Sequence, residues 1–481
     1  MDKTQKVLHL FEKISAIPRG TKREAALSAW LQAWAIGRGY TFDVDQAENL
    51  LIRVPATPGS EQAPILVLQG HMDMVCEKTP DSTHDFLTDP IRPILDGEWL
   101  RADRTTLGAD NGIAIALALA LAEDSTVAHP PLELLFTVEE EVGVGGALLL
   151  KPGFAAGKIL LNLDSEDEGT FVVGCAGGKT SHIRQSLWFE PLWQWQAYGL
   201  TVSGLQGGHS GVDIHKHRAS ANALMARTLE HIRARVPLRI AALDGGTAHN
   251  AISREARACV AFDSQNFQTV SQVLRDFEQL LAEEYAGVEH DIHLTLEPCD
   301  SQRAVNEVGT EKLIRLLLAL PHGVAHMSAS VDGFVETSNN LAKIEIVGDE
   351  LRVVTSQRST VMSRLEELTT RIAAIALLAG AEVISTDGYP AWQPNLESAL
   401  LARSRAIYQN LFGVAPKVEM IHAGLECGII GDIFGGMEMI SLGATIQNPH
   451  SPTERLNIPS VGRAWQFLAA LVASYAASGA V

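Results

Sequence analysis

Ile65-Leu66-Val67-Leu68-Gln69-Gly70-His71-Met72-Asp73-Met74-Val75 runs from an unbroken apolar stretch into a histidine and an aspartate two residues apart. The aliphatic residues 65–68 suit a strand inside a sheet. Outward from it the same pattern recurs, with a helix at 113–122 and further strands at 132–137 and 160–163. Alternating strands and helices indicate an α/β sheet with helices on its faces. Polar residues fall just after the strands: His71 and Asp73, then Glu140 and Glu141, then Asp164. In open α/β sheets the carboxyl ends of strands form the crevice where ligands bind, so residues far apart in sequence can converge there.

Four more patches answer the first. They are Gly108-Ala109-Asp110-Asn111-Gly112, Thr137-Val138-Glu139-Glu140-Glu141-Val142-Gly143, Asn162-Leu163-Asp164-Ser165-Glu166 and Pro449-His450-Ser451-Pro452. Two histidines and several carboxylates form a donor set that suits zinc and its neighbours. A dinuclear hydrolytic site needs a shared anionic ligand, terminal ligands on each ion and a base beside the attacking water. Asp110, between Gly108 and Gly112, is the expected bridge. His71 and Asp164 would complete one ion, Glu141 and His450 the other. Glu140 would be the general base, and Asp73 would orient the His71 imidazole without touching metal. Each patch alone also fits a turn or cap, and Glu139-Glu140-Glu141 also fits a solvated loop; the conjunction favours the site.

At 481 residues, the chain exceeds what one core usually serves, so two domains are expected. Hydrophobic residues at 46% and charged residues at 20% describe a globular protein. A net charge of -19 argues against a nucleic-acid or anionic-membrane partner, and His215-Lys216-His217-Arg218 is too short to reverse it. Residues 1–23 hold no uninterrupted apolar segment, so no signal peptide is read. The apolar runs 113–122 and 467–477 fall short of the roughly 18–20 residues of a membrane span. Five scattered cysteines suit a reducing compartment. A cytoplasmic location is expected.

Beyond Gly177-Gly178 the sequence becomes aromatic and alternating, near 187–189 and 200–202, where a second domain is expected to open. It holds Gly207-Gly208-His209-Ser210-Gly211, a helix at about 220–235, and strands at 256–262, 292–296, 341–346 and 351–356. That composition reads as α+β. The turn-rich 389–394 marks the return, and His450 beyond it makes the first domain discontinuous. The expected division is 1–186, 187–389 and 390–481. Val144-Gly145-Gly146 lacks a dinucleotide fingerprint's glycine spacing. Cys175 reads as a buried small hydrophobe before it reads as a nucleophile. His215 and His217 read as surface residues, while His422 near Glu426 stays open between structural and functional roles.

The order His71-x-Asp73, Asp110, Glu140-Glu141, Asp164, His450 resembles that of the zinc exopeptidases related to carnosinases and aminoacylases. Asn162-Leu163-Asp164-Ser165-Glu166, Gly174-Cys175-Ala176-Gly177-Gly178, Gly207-Gly208-His209-Ser210-Gly211, His422-Ala423-Gly424-Leu425-Glu426-Cys427-Gly428 and Pro449-His450-Ser451-Pro452 are similar to the bacterial dipeptidases of that family. These motifs span nearly the whole chain. The resemblance implies an α/β zinc-exopeptidase catalytic domain, an inserted α+β lid that forms a homodimer, and two zinc ions, with manganese or cobalt able to use the same donors. It places Asp73 and Glu140 at catalytic positions and His71, Asp110, Glu141, Asp164 and His450 at metal positions. Aspartate at 164 is similar to the dipeptidase and aminopeptidase branches; Glu139 stands where the family more often has aspartate. His209 matches a lid histidine that stabilises the developing oxyanion, often across the dimer. Asn250, Arg358 and Glu426 are expected to bind substrate, Arg358 by gripping a terminal carboxylate. The implied activity is hydrolysis of unblocked dipeptides, Xaa-His included. Hydrolysis of N-acyl amino acids by the same site is the alternative, and a non-catalytic metal- or peptide-binding module is a third reading.

Overall fold

Aliphatic runs become the central strands. Leu66–His71 lies between Leu132–Thr137 and Ile159–Asn162, parallel to both, and all residues of the first two strands are buried. The computed structural model describes residues 2–329 and 331–476 and divides the chain into two compact units. The first comprises 1–175, 392–420 and 425–481; the second comprises 176–391 and 421–424.

The first unit is built on an eight-stranded sheet in the order Thr41–Val44, Leu50–Val54, Leu132–Thr137, Leu66–His71, Ile159–Asn162, Glu438–Ser441, Thr170–Cys175 and Lys417–Ile421. Helix Ala109–Ala122 packs on the Leu66–His71 strand and on helix Lys3–Ser15. It is apolar on every side, and from Ile113 to Leu121 no residue is more than 1% exposed, as a helix lacking a polar face requires. Lys3–Ser15 is amphipathic instead and buries Val7, Leu10, Phe11 and Ile14 at helical spacing. The apolar run 467–477 belongs to helix Ile458–Ala476; its last residue lies outside the described residues. No helix among the described residues is long and apolar enough to cross a membrane.

The second unit is an antiparallel sheet with helices packed on it. Along its main path the order is His293–Pro298, Gln196–Ser203, Ala256–Phe262, Arg239–Gly245, Val335–Val347, Glu350–Ser359, Gly177–Ser186 and Glu382–Ser385, with Gly323–Met327 added beside Val335–Val347. Helix Ala221–Arg233 starts where Ser220 accepts a hydrogen bond from the Ala223 backbone, and it buries Leu224, Met225, Leu229 and Ile232. The expected boundary after residue 186 moves to 175/176. Gly177–Ser186 is hydrogen-bonded along its length to Glu350–Ser359, so the chain has already changed units when that strand begins. The return comes at 391/392 because Tyr389 bridges back to Gly178, and residues 421–424, with His422, also group with the second unit.

Candidate metal centre

Each candidate ligand of the first unit sits at or just beyond an element end. His71 ends its strand, Asp110 lies in the first turn of Ala109–Ala122, Glu140 and Glu141 follow Leu132–Thr137, and Asp164 follows Ile159–Asn162. Asp110 divides its carboxylate between two imidazoles. Its Oδ1 is 3.1 Å from His71 Nε2 and its Oδ2 is 3.0 Å from His450 Nε2. Asp164 Oδ1 stands 3.4 Å from His71 Nε2, and Glu141 Oε2 stands 3.1 Å from His450 Nε2. Glu140 Oε2 is 4.0 Å from His71 Nε2. Three overlapping groups result, each with ligand atoms within 4.8 Å of one another: His71, Asp110 and Asp164; His71, Glu140 and Glu141; Asp110, Glu141 and His450.

The electrostatics fit divalent cations. Burial pushes the carboxyls of Glu140, Glu141 and Asp164 above their ordinary range, Glu140 most strongly. Burial works the same way on Asp110, but the two imidazoles facing it outweigh that and hold it low. Hydrogen bonds to Asp110 and Glu141 drive His450 up to about 11. Protonated imidazoles thus neutralise acids that a metal would neutralise, and Glu141 Oε1 remains buried without a partner. A histidine–carboxylate donor set at this spacing, with His450 about half exposed, matches a hydrolytic metal site that keeps water access.

Asp73 sits behind the candidate ligands. Its Oδ1 is 3.3 Å from His71 Nδ1, which leaves Nε2 to face Asp110 and Asp164. The same carboxylate accepts from the backbone N–H of Glu140 at 3.0 Å, of Glu141 at 3.2 Å, and from the Thr21 hydroxyl at 2.9 Å. Burial opposes its charge, yet His71 and these donors hold it below the usual carboxylate range.

Glu426 lies deeper than the candidate ligands. Fully buried, it accepts from Gln69 Nε2 at 2.6 Å and Thr137 Oγ1 at 2.8 Å, and burial raises it to about 7. Its Oε2 thus joins a buried polar network with Gln69 and Asn162, while its Oε1 stays buried without a hydrogen-bond partner. Cys175 is fully buried, in keeping with a packing role. Sequence reasoning missed Arg19, Glu24 and Glu454. Glu24 accepts from the Glu139 backbone at 3.0 Å, and Arg19 donates to the carbonyls of Met72 and Asp73 at 2.9 Å each and to that of Gly108. Nothing in their own neighbourhoods marks them, because their partners are backbone groups of distant loops.

His209, Asn250 and Arg358 lie in the second unit and gather around Gly211. Strand pairing sets His209 opposite Ala251, and Asn250 O accepts from Ser210 N at 2.8 Å. His209 Nδ1 accepts from the backbone of Gly211 at 3.2 Å and Val212 at 3.0 Å, which places the neutral ring's proton on Nε2. A Cβ on Gly211 would lie 3.1 Å from His209 Cε1, 3.2 Å from Arg358 Nε and 2.2 Å from the His422 carbonyl. Arg358 donates to the Tyr389 hydroxyl at 2.9 Å while its Nε stays buried without a partner. His422 shares a 2.7 Å hydrogen bond with Ser338, and burial lowers it to about 3, so this imidazole is neutral.

Residues 200–289 match the model of the peptidase dimerisation domain. The chain is 39% identical over 471 residues to the cytosol non-specific dipeptidase of Escherichia coli strain K12, covering 97% of each protein. The crystal structure of aminoacylhistidine dipeptidase from Vibrio alginolyticus is similar with a TM-score of 0.85 and 38% identity, over 98% of this chain and 96% of that one. A tripeptidase from Staphylococcus aureus shares the fold at a TM-score of 0.57 and 17% identity, over 98% of this chain and 99% of that one.

Proposed function

The chain belongs to the M20 family of metallopeptidases, and from that premise we propose that it hydrolyses unblocked dipeptides, Xaa-His dipeptides included, at two zinc ions held by His71, Asp110, Glu141, Asp164 and His450. The observation that carries this reading is the division of the Asp110 carboxylate, one oxygen toward His71 and the other toward His450. Bound there, the ions would supply Lewis acidity to the scissile carbonyl and to the attacking water, and manganese or cobalt could use the same donors.

The chain's own groups do the remainder. Glu140, raised by burial and held beside His71, takes the proton of the attacking water and delivers it to the leaving amine. Asp73 fixes the His71 tautomer and, through their backbone N–H groups, the placement of Glu140 and Glu141. His209, with its proton on Nε2, is the donor for the developing oxyanion. Arg358 offers the unpartnered Nε to a terminal carboxylate, with Asn250 as a further substrate contact. We read the protein as a cytosolic homodimer joined through its second unit, because residues 200–289 match a dimerisation domain and the Escherichia coli relative is named for the cytosol.

Glu140→Ala tests the reading. Turnover of free dipeptides should vanish while metal stays bound; retained turnover overturns the role of Glu140. A panel of free and N-acetylated dipeptides on the zinc-loaded protein should show cleavage of the free ones alone, and cleavage of the blocked ones would favour an amidohydrolase.

A further inference from the structure

Glu454 makes an unusual set of hydrogen bonds for a buried acid. Its Oε2 accepts from the backbone N–H of Leu107 at 2.7 Å and Gly108 at 2.9 Å, and its Oε1 accepts from Ala109 at 2.7 Å and Asp110 at 3.3 Å. Four successive peptide groups thus converge on one carboxylate, in the manner of a backbone nest at a helix N-terminus, except that the anion comes from the protein itself. The residues joined are 344 apart in sequence at the Asp110 contact. Only Ser451, Pro452 and Thr453 separate Glu454 from His450.

The other side of the 107–110 loop is held as well. Arg19, fully enclosed, donates to the Gly108 carbonyl and to those of Met72 and Asp73; burial lowers its pKa, and Glu454 heads the acids that oppose that shift. Gly108 adopts a φ of +71°, and a Cβ there would lie 2.7 Å from Arg19 Nη2; a Cβ on Gly112 would lie 2.6 Å from the same atom. Arg19 and Glu454 therefore clamp the segment that carries the proposed bridging ligand. His450 itself has a φ of +57°, a left-handed conformation that a residue with a Cβ keeps only when its surroundings impose it.

We infer that Glu454 is a positioning residue for the metal pair: it couples the His450 loop to the Asp110 loop and so sets the separation of the bridging ligand from a terminal one. It touches neither substrate nor ion. This rests on the metal site proposed above.

Glu454→Gln is the test, because the amide keeps the shape and removes an acceptor. Whichever way it turns, its NH2 faces two backbone N–H donors that the carboxylate satisfied. Metal affinity, measured by chelator competition, should fall about 10–100-fold, the usual effect of losing a group that supports a ligand. Dipeptidase kcat should recover toward wild type at saturating metal. Glu133→Ala is the control: that buried acid accepts backbone N–H bonds on Oε2 from Ala156 at 2.8 Å and Gly157 at 2.9 Å in the same unit, and its truncation should lower the unfolding midpoint without moving metal affinity. Three results overturn the inference: unchanged metal affinity in Glu454→Gln, an equal loss of affinity in Glu133→Ala, or metal-free Glu454→Gln without native circular dichroism, which would make the role one of folding. Wild-type protein that binds no metal would instead overturn the metal site itself.

Discussion

Replacing Asp73 with asparagine exchanges one acceptor oxygen for a donor where two segments that carry proposed ligands, 71–73 and 140–141, meet Thr21. Oδ1 serves Glu140 N and His71 Nδ1, while Oδ2 serves Thr21 Oγ1 and Glu141 N. The Thr21 hydroxyl can rotate to accept, so the amide nitrogen settles on that side and leaves the Glu141 N–H facing another donor. One orphaned buried N–H costs about 1–3 kcal/mol, and the imidazole loses the anion behind it. Because the orphan lies on a proposed ligand, metal affinity should fall about 10–100-fold, with kcat reduced even at saturating metal. A sign follows for pH. Asp73 is held below its ordinary 3.8, so its contribution to folding is present above that pH and fades as pH falls through the lower folded value. The stability gap between metal-free wild type and Asp73→Asn should therefore close in acid. Chelator competition and urea unfolding of the metal-free proteins measure both effects. Equal zinc affinity and equal kcat in the two proteins would refute the assignment.

Glu426, raised from 4.5 to about 7 by burial, binds its proton more tightly folded than unfolded, so the metal-free protein loses stability as pH rises from about 4.5 through about 7. Glu426→Gln keeps an acceptor for Gln69 and Thr137 and should remove roughly 3 kcal/mol of that pH dependence in urea melts at pH 5 and 8; an unchanged profile would show that the carboxyl is not the titrating group. Gly211→Ala forces a Cβ to 2.2 Å from the His422 carbonyl, so that segment must move. We expect a loss of about 1–3 kcal/mol, a raised KM for dipeptides and unaltered metal affinity; normal kinetics would argue against a substrate role for the His209 and Arg358 cluster.

Much of this was legible in sequence because strand ends carry chemistry. The run 65–68 announced its strand by continuous apolarity, and His71, Glu140, Glu141 and Asp164 followed strands in a way that chain geometry makes convergent. His450 is legible as a donor in the patch 449–452 but not from a strand end, since it lies on a loop that no strand reading places. The boundary between units is less legible: 181–186 alternates buried and exposed positions, which marks a strand but not its partner, and the partner is Glu350–Ser359. The partners of Glu426 are not legible, because Gln69 and Thr137 meet it only across the sheet.

Arg19, Glu24 and Glu454 show what sequence hides and why it matters. The proposed ligands are mostly acids, and acids crowded together repel. Something other than mutual attraction must hold them, and in this unit it is the backbone of their loops. Glu24 takes the N–H of Glu139, Asp73 those of Glu140 and Glu141, and Glu454 those of 107–110, while Arg19 takes carbonyls from 72, 73 and 108. Bonds to charged groups are the stronger class, about 1.5–3 kcal/mol each, and none of these contacts involves a metal. The spacing of the proposed ligands is thus set by partners that carry no ligand role of their own. A dispersed site can then draw on residues as distant as His71 and His450, because each loop is fixed where it enters rather than where it binds.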